Sequence, residues 1–162
     1  MTLTRRTLTL ASALSLAVLA GCASTTTPTN ITDTAARTPQ LSTLSKLIND
    51  AGLADTLRST GPFTVFAPSD EAFKAVPAKT LAELAADKEL LKSVLTFHVL
   101  PGKVMAADVK NGNAKSVQGA PLALSTAGTF VTVEDAVVQQ ANVPASNGVI
   151  HIIDKVMMPP KR

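Results

Sequence analysis

The spacing of apolar residues changes about half-way along this chain, and that change limits the fold more than any other feature of the sequence. In the first half, apolar residues recur at helical intervals, as in Leu41, Leu44, Leu47 and Ile48. Beyond Pro101-Gly102, short β-branched segments are separated by glycine and proline. Helices that come first and strands that come later predict an α+β domain, with N-terminal helices packed on a sheet or wedge of short strands.

Local signals predict where several of these elements begin and end. Ser69 and Asp70 can satisfy free N–H groups at the start of one helix, residues 80–83 (TLAE) have the pattern of a capping box, and Asp87 precedes a further helix. Strands are predicted at residues 63–67, 115–117, 122–124, 130–133, 136–138 and 149–156. The last is a long β-branched run, which is typical of a central strand buried on both faces.

The N-terminus has the organisation of an export signal. A basic start precedes an apolar segment, residues 7–20, which is shorter than the roughly 20 residues that a transmembrane helix needs. The segment runs into Leu19-Ala20-Gly21-Cys22, which resembles the cleavage site of a bacterial lipoprotein. We therefore expect residues 1–21 to be a lipoprotein signal peptide and Cys22 to become a lipidated N-terminus. The alternative is a buried N-terminal helix with an ordinary core cysteine.

This interpretation predicts an exported protein that is attached to a membrane by its N-terminal lipid. Ala23 follows the cysteine, where an aspartate would favour retention on the inner membrane, so the outer membrane is expected if the cell is Gram-negative. The sequence leaves open whether the domain lies in the periplasm or at the cell surface. It also leaves open the export route, since Arg5-Arg6 loosely resembles a twin-arginine signal.

Composition argues against several classes of protein. The chain has 15 basic and 12 acidic residues, and removal of Arg5 and Arg6 with the signal peptide leaves 13 against 12, scattered singly. No nucleic-acid partner is expected, because such a protein carries a clustered basic face. Cys22 is the only cysteine, so no disulfide is expected once it carries lipid. Trp and Tyr are absent, which leaves few aromatic rings for stacking on bases or sugars.

The mature chain has two parts of different composition. Residues 23–38 are small and polar, with one proline and one large apolar side chain. We expect residues 22–38 to comprise the lipidated cysteine and a flexible tether, because so little apolar surface does not order a segment. The alternative is an ordered N-terminal arm. Residues 39–160 are expected to form a single domain that is large enough for a hydrophobic core.

Three separated motifs resemble the landmarks of one known family. They are residues 63–73 (FTVFAPSDEAF), the step Phe97-His98 within residues 95–102, and residues 147–159 (NGVIHIIDKVMMP). In identity and order they resemble the fasciclin (FAS1) domain. The resemblance implies a FAS1-like fold and a role in cell adhesion or matrix interaction. The motif residues expected to be structural are Phe63, Phe66, Pro68, Asp70, Phe73, His98, His151 and Asp154.

The polar motif residues His98, His151, Asp70 and Asp154 are the natural candidates for a metal site or an acid–base pair. His151 and Asp154 are three residues apart on a predicted strand, so their side chains point to opposite faces. The chain has two histidines, and it has no nucleophile elbow, phosphate-binding loop or metal-binding helix motif. We therefore expect no catalytic residue, metal or cofactor, and two buried histidines that hydrogen-bond within the fold.

The leading functional expectation is a non-catalytic adhesion or interaction module anchored in the cell envelope. Its partner is expected to be a protein or a polysaccharide, contacted through polar segments such as residues 111–119 and 139–147. Phe97 stands where animal members of the family carry tyrosine, so their integrin binding is not carried over. The alternative is a small-molecule or lipid-binding envelope protein, which requires a concave apolar pocket.

Overall fold

The computed structural model describes residues 29–128 and 130–160. The predicted signal peptide and Cys22 lie outside these ranges. The helices are α1 (Ile31–Arg37), α2 (Ser42–Asp50), α3 (Ala54–Arg58), α4 (Asp70–Ala75), α5 (Ala78–Ala86) and α6 (Lys88–Phe97). The strands are β1 (Phe63–Pro68), β2 (Val99–Pro101), β3 (Gly112–Lys115), β4 (Pro121–Ala127), β5 (Phe130–Val133), β6 (Ala136–Ala145) and β7 (Gly148–Ile153). Within the described ranges, each helix is too short or too polar to cross a membrane.

The strands form one sheet in the order β2-β1-β7-β6-β5-β4-β3. Its first and last strands approach each other, and the N–H of Val117, just after β3, donates to the carbonyl of Val99 on β2 at 2.8 Å. The sheet therefore curls into a near-barrel. The helices come mostly before the strands along the chain, which confirms the α+β prediction. Strand β7 lies inside the sheet and all six of its residues are buried, as its β-branched sequence predicts, but it ends at Ile153 rather than at residue 156.

Two neighbouring strands of the sheet, β1 and β7, begin side by side. Strands β1 and β7 are parallel, with Phe63 paired to Gly148 at one end and Pro68 paired to Ile153 at the other. A Cβ on residue 148 would collide with the carbonyl oxygen of Phe63, so this close approach requires glycine. Gly148 therefore allows β1 and β7 to pair closely at the end of the sheet where both strands begin.

The alternation of side chains along β1 divides the apolar residues between two cores. Val65 and Ala67 face the helices, where Phe73 of α4 is also buried and Phe63 packs at the margin. Phe66 faces the inside of the curled sheet. Consecutive residues of a strand point to opposite faces, so one strand contributes to both cores. Phe66 and Phe73 are close in sequence but lie in different cores.

The tether prediction is wrong from Thr29 onward, because residues 31–37 form helix α1. Asn30 caps it by accepting a hydrogen bond from the Asp33 N–H at 2.9 Å, and Ile31 and Ala35 are buried on one face. Four residues apart, these two side chains form a single apolar stripe that docks on a surface already built by the rest of the fold. A helix with so few buried apolar side chains can be stable because the surface on which it packs is formed by the other elements of the domain.

The predicted ends of the other elements are partly correct. Ser69 caps α4 by accepting from the Ala72 N–H at 3.2 Å, and Asp87 caps α6 by accepting from two N–H groups. The predicted capping box at residues 80–83 is wrong, because α5 begins at Ala78 directly after Pro77. Residues 112–115 and 136–145 are strands, so the two segments expected to be polar contact loops lie largely within the sheet.

Candidate functional site

His98 is a buried structural residue at the end of α6. Its ring is 2% exposed, its Nε2 accepts the Met157 N–H at 3.0 Å, and its Nδ1 lies 2.8 Å from the Val94 carbonyl. Because Nε2 accepts, Nδ1 carries the proton and donates to that carbonyl. Burial lowers the pKa of His98 to about 4, against the effect of the Val94 carbonyl. The neutral ring therefore ties the C-terminal segment to α6.

His151, on β7, is buried in the same way. Its Nδ1 accepts the Asn142 N–H at 3.2 Å, and its Nε2 donates to the Val104 carbonyl at 2.9 Å. The ring stacks on Phe66 with 5.5 Å between ring centroids. Burial lowers the pKa of His151, although the hydrogen bond to Val104 opposes the shift. The ring joins an irregular part of β6 to the loop after β2.

The two histidines do not form a reactive pair or a metal site. All four ring nitrogens are engaged with backbone groups, so neither ring has a free nitrogen for a proton relay or a ligand. Among the residues that the structure describes, no group of three or more His, Cys, Asp or Glu side chains is placed to hold a metal ion. The four ring nitrogens are therefore committed to backbone hydrogen bonds and are not available as metal ligands.

Asp70 lies at the start of α4 but serves a different helix. Its carboxylate accepts the Ser42 hydroxyl at 2.6 Å and the Thr43 N–H at 2.8 Å, so it caps α2. Burial of the carboxyl raises its pKa, and the hydrogen bonds from Ser42 and Thr43 outweigh that effect and lower it. The sequence predicted that Ser69 and Asp70 both satisfy N–H groups at the start of α4, and the structure shows this role for Ser69 and not for Asp70.

Asp154 closes the turn in which β7 ends. Its carboxylate accepts the Val137 N–H at 2.7 Å, while its own N–H donates to the Val137 carbonyl. The side chain therefore holds the end of β7 to the start of β6. Asp70, Asp154 and the two histidines occupy four separate structural positions, and the structure brings no two of them together as a site.

Two concave surfaces lie away from the hydrogen-bonded rings of the two histidines, at the end of the sheet where β1 and β7 finish. We call this the far end. A groove of about 390 Å³, the α4 groove, has apolar walls, and the Asp135–Lys155 ion pair at 3.4 Å lies on its rim. The walls include Ala72, Ala75, Val76, Pro77, Val156 and Met158. A second, more polar cleft of about 380 Å³ lies on the other side of α4, beside Asp70 and Gln139.

The sequence does not predict the α4 groove, because its walls come from three separate segments and none of these has an unusual composition. Alanines of α4, the link to α5 and the segment after β7 meet only in the folded chain. Half-exposed Met158 is the clearest local sign, since large apolar side chains at a surface accompany binding sites. Met157, its neighbour, is buried in the core inside the sheet.

Comparison with known proteins agrees with the geometry. Residues 39–159 match the family model of the fasciclin domain. The protein sll1483 of Synechocystis sp. is 43% identical over 140 residues, covering 85% of this chain and 78% of its own. Cell surface glycolipoprotein MPB83 of Mycobacterium bovis is 38% identical over 131 residues, covering 78% of this chain and 59% of its own. The structure of a FAS1 domain pair from the insect cell adhesion molecule Fasciclin I has a similar fold, with a TM-score of 0.64 at 18% identity. The match covers 81% of this chain and 51% of that one.

Proposed function

Because the chain belongs to the fasciclin domain family, we propose that it is an exported, membrane-anchored protein whose domain binds another molecule and catalyses no reaction. The relative MPB83 is a cell surface glycolipoprotein, which supports export and anchoring for a chain whose Cys22 ends a lipoprotein-like signal. The insect protein of similar fold is a cell adhesion molecule. On the basis of these two proteins, we propose export, membrane anchoring and binding to another molecule for the present chain.

One observation carries the non-catalytic part of the proposal. His98 and His151, which are the only histidines in the chain, use all of their ring nitrogens to hold backbone segments together. General acid–base catalysis needs a titratable group that reaches a substrate proton. Two buried rings with depressed pKa values and no free nitrogen do not supply one, and the motifs around them serve the fold.

Membrane anchoring is tested by fractionating cells that express the full chain. The wild-type protein should enter the membrane fraction with lipid on Cys22, identified by mass spectrometry of the N-terminal peptide. Cys22→Ser should yield an unprocessed precursor or a soluble product. An unchanged distribution of Cys22→Ser between membrane and soluble fractions would contradict the proposed anchor.

Partner binding is tested at the far end of the domain. Ala75 is exposed and lines the α4 groove, so Ala75→Lys introduces a charge there without disturbing a core. Ala85→Lys, on the exposed face of α5, is the matched control. Adhesion of expressing cells to immobilised envelope protein and to envelope polysaccharide should fall for Ala75→Lys in one of these arms and stay unchanged for Ala85→Lys. Equal adhesion of both variants would exclude the groove as the contact surface.

Small-molecule binding is a second candidate function, because the α4 groove has the volume of a ligand site. Its volume of about 390 Å³ falls within the roughly 300–1,000 Å³ typical of such sites. A fluorescent fatty acid should then bind saturably to wild type and to Ala85→Lys but not to Ala75→Lys. Absence of saturable binding to the wild-type protein would reject a fatty-acid ligand.

A further inference from the structure

We propose that the anchored domain is confined to orientations in which the end of the sheet that holds α1 is turned towards the membrane and the α4 groove is turned away from it. This inference rests on the proposed lipid anchor at Cys22. The membrane-facing surface, which we call the anchor end, comprises residues 60–62, 101–103 and 146–148. Its occupant is the bilayer to which the chain is attached. The position of the first described residue and the length of chain before it carry the argument.

The beginning of the described chain is fixed to the anchor end by a set of hydrogen bonds. The carbonyl of Thr29 accepts the Ser146 N–H at 3.0 Å, and the Ile31 N–H donates to Asn147 Oδ1 at 2.9 Å. The amide nitrogen of Asn147 donates in turn to the carbonyls of Leu57 and Ser59 at 2.7 and 3.0 Å. Ser146 and Asn147 form the turn before β7, so Thr29 lies where β1 and β7 begin.

The chain between Cys22 and Thr29 is too short to let the domain turn over. Seven residues span at most about 25 Å, whatever their conformation. A compact body of about 130 residues has a radius of gyration of about 14 Å, which corresponds to a sphere about 36 Å across and about 57 Å around half its circumference. The lipid therefore remains on the side of Thr29, and the far end does not reach the bilayer.

The docking of α1 decides this outcome. If the free segment extended through residue 38, as its composition predicts, its reach would be about 60 Å and either end of the domain could face the membrane. Instead, residues 31–37 form helix α1, and the start of this helix is bound at the anchor end. The free segment therefore ends before Thr29 rather than at residue 38. Because α1 is ordered, the free chain between Cys22 and the domain is short. It therefore restricts the domain to orientations in which Thr29 is on the membrane side.

The chemistry of the anchor end suits contact with lipid headgroups. A polar cleft of about 220 Å³ lies there, lined by Thr60, Gly61, Lys103, Ser146 and Asn147 among others. Lys103 is exposed, and its ammonium group attracts the phosphates of a bilayer surface. The exposed Thr60 and Ser146 beside it carry hydroxyl groups that can hydrogen-bond to headgroups. The apolar α4 groove, in contrast, is at the opposite end of the sheet.

Fluorescence quenching by headgroup-labelled lipid tests the orientation. In the purified lipoprotein Cys22 is consumed by lipid, so an introduced cysteine is the single labelling point. Ser146→Cys places a dye at the anchor end and Glu71→Cys places one at the far end, and both positions are exposed. In vesicles of phosphatidylethanolamine and phosphatidylglycerol with nitroxide headgroups, we expect the Ser146→Cys dye to be quenched several-fold more strongly. Equal quenching, or stronger quenching at position 71, overturns the orientation.

A longer linker between Cys22 and the domain provides the matched control. Insertion of about twenty Gly/Ser residues between residues 28 and 29 raises the maximum reach to about 95 Å, which exceeds half the circumference of the domain. The difference between the two dyes should then shrink while membrane attachment persists. A difference that survives the insertion unchanged overturns the short linker as its cause.

Failure of the anchor and failure of the orientation give different results. If the native chain stays out of the membrane fraction, the proposed anchor fails and the orientation fails with it. If the native chain is membrane-bound through Cys22 but the two dyes are quenched equally, the orientation alone is overturned and the proposed function stands.

Discussion

Acidification should destabilise this domain through His98, by an amount that follows from its buried ring. The pKa of His98 is lowered by burial from 6.5 to about 4 in the folded protein, and the unfolded chain keeps the ordinary value. The unfolded state therefore binds the proton first as pH falls, so stability is fully present above about pH 6.5 and is lost towards pH 4. The loss from this ring alone is about 2 kcal/mol at pH 5 and about 3 kcal/mol at pH 4.

Protonation would remove a specific contact as well as place a charge in the core. Nε2 accepts the Met157 N–H, and a protonated Nε2 cannot accept, so the C-terminal segment loses its attachment to α6. A total stability of about 5–15 kcal/mol makes a loss of about 3 kcal/mol easy to detect. His151 shifts in the same direction and adds to the effect, which makes a His98 variant necessary to separate the two rings.

Urea unfolding followed by circular dichroism is the suitable assay, because the chain has no Trp or Tyr for fluorescence. His98→Gln does not titrate in this range, so its loss of stability between about pH 7 and pH 4 should be smaller than that of wild type by about 3 kcal/mol. Equal losses in the two proteins would refute the reasoning. An NMR titration of the wild-type ring checks it independently, since a His98 midpoint near 6.5 would contradict the depressed pKa.

Four further substitutions, with one matched control, test the packing and capping described above. Gly148→Ala forces β1 and β7 apart and should cost about 2–3 kcal/mol in urea unfolding; a cost near zero would mean that the strands accommodate a Cβ. Phe66→Ala empties a fully buried site and should cost about 3–5 kcal/mol, whereas Phe130→Ala, at a side chain 65% exposed, should change stability by less than about 0.5 kcal/mol. Asp70→Ala removes the cap of α2 and should cost about 1 kcal/mol, with loss of amide protection in the first turn of α2 as its signature in hydrogen exchange. Asn147→Ala removes the side chain that binds the Ile31 N–H and the carbonyls of Leu57 and Ser59, so limited proteolysis should cut near α1 first; unchanged protection there would contradict its role in holding that helix.

Local signals in the sequence were sufficient where a structural role depends on neighbours along the chain. Ser69 caps α4 three residues away, and Asp87 caps α6 within three residues, so propensity and spacing reveal both. The β-branched run of β7 likewise reports burial directly, because a strand that is apolar on both faces is typically buried on both.

Roles that join distant parts of the chain were not visible in the same way. Asp70 caps a helix that begins 28 residues earlier, and Asn147 binds the N–H of Ile31 across 116 residues. Each side chain also has a plausible local role, and no spacing rule distinguishes the local role from the distant one. The capping box at residues 80–83 failed for the opposite reason, because Pro77 already provides a start for α5.

The sequence by itself determined the fold family, the order of helices and strands, and the lack of a recognisable catalytic motif, and it predicts a lipoprotein signal peptide over residues 1–21. These are properties of short segments, since periodicity, caps and motifs are read over a few residues. Only the tertiary structure decided that residues 31–37 are a docked helix, that both histidines are fully engaged, and that the α4 groove lies opposite the start of the domain. Those features depend on which distant surfaces meet, because an apolar stripe of two residues or a single amide is stabilising only when its partner surface is already in place.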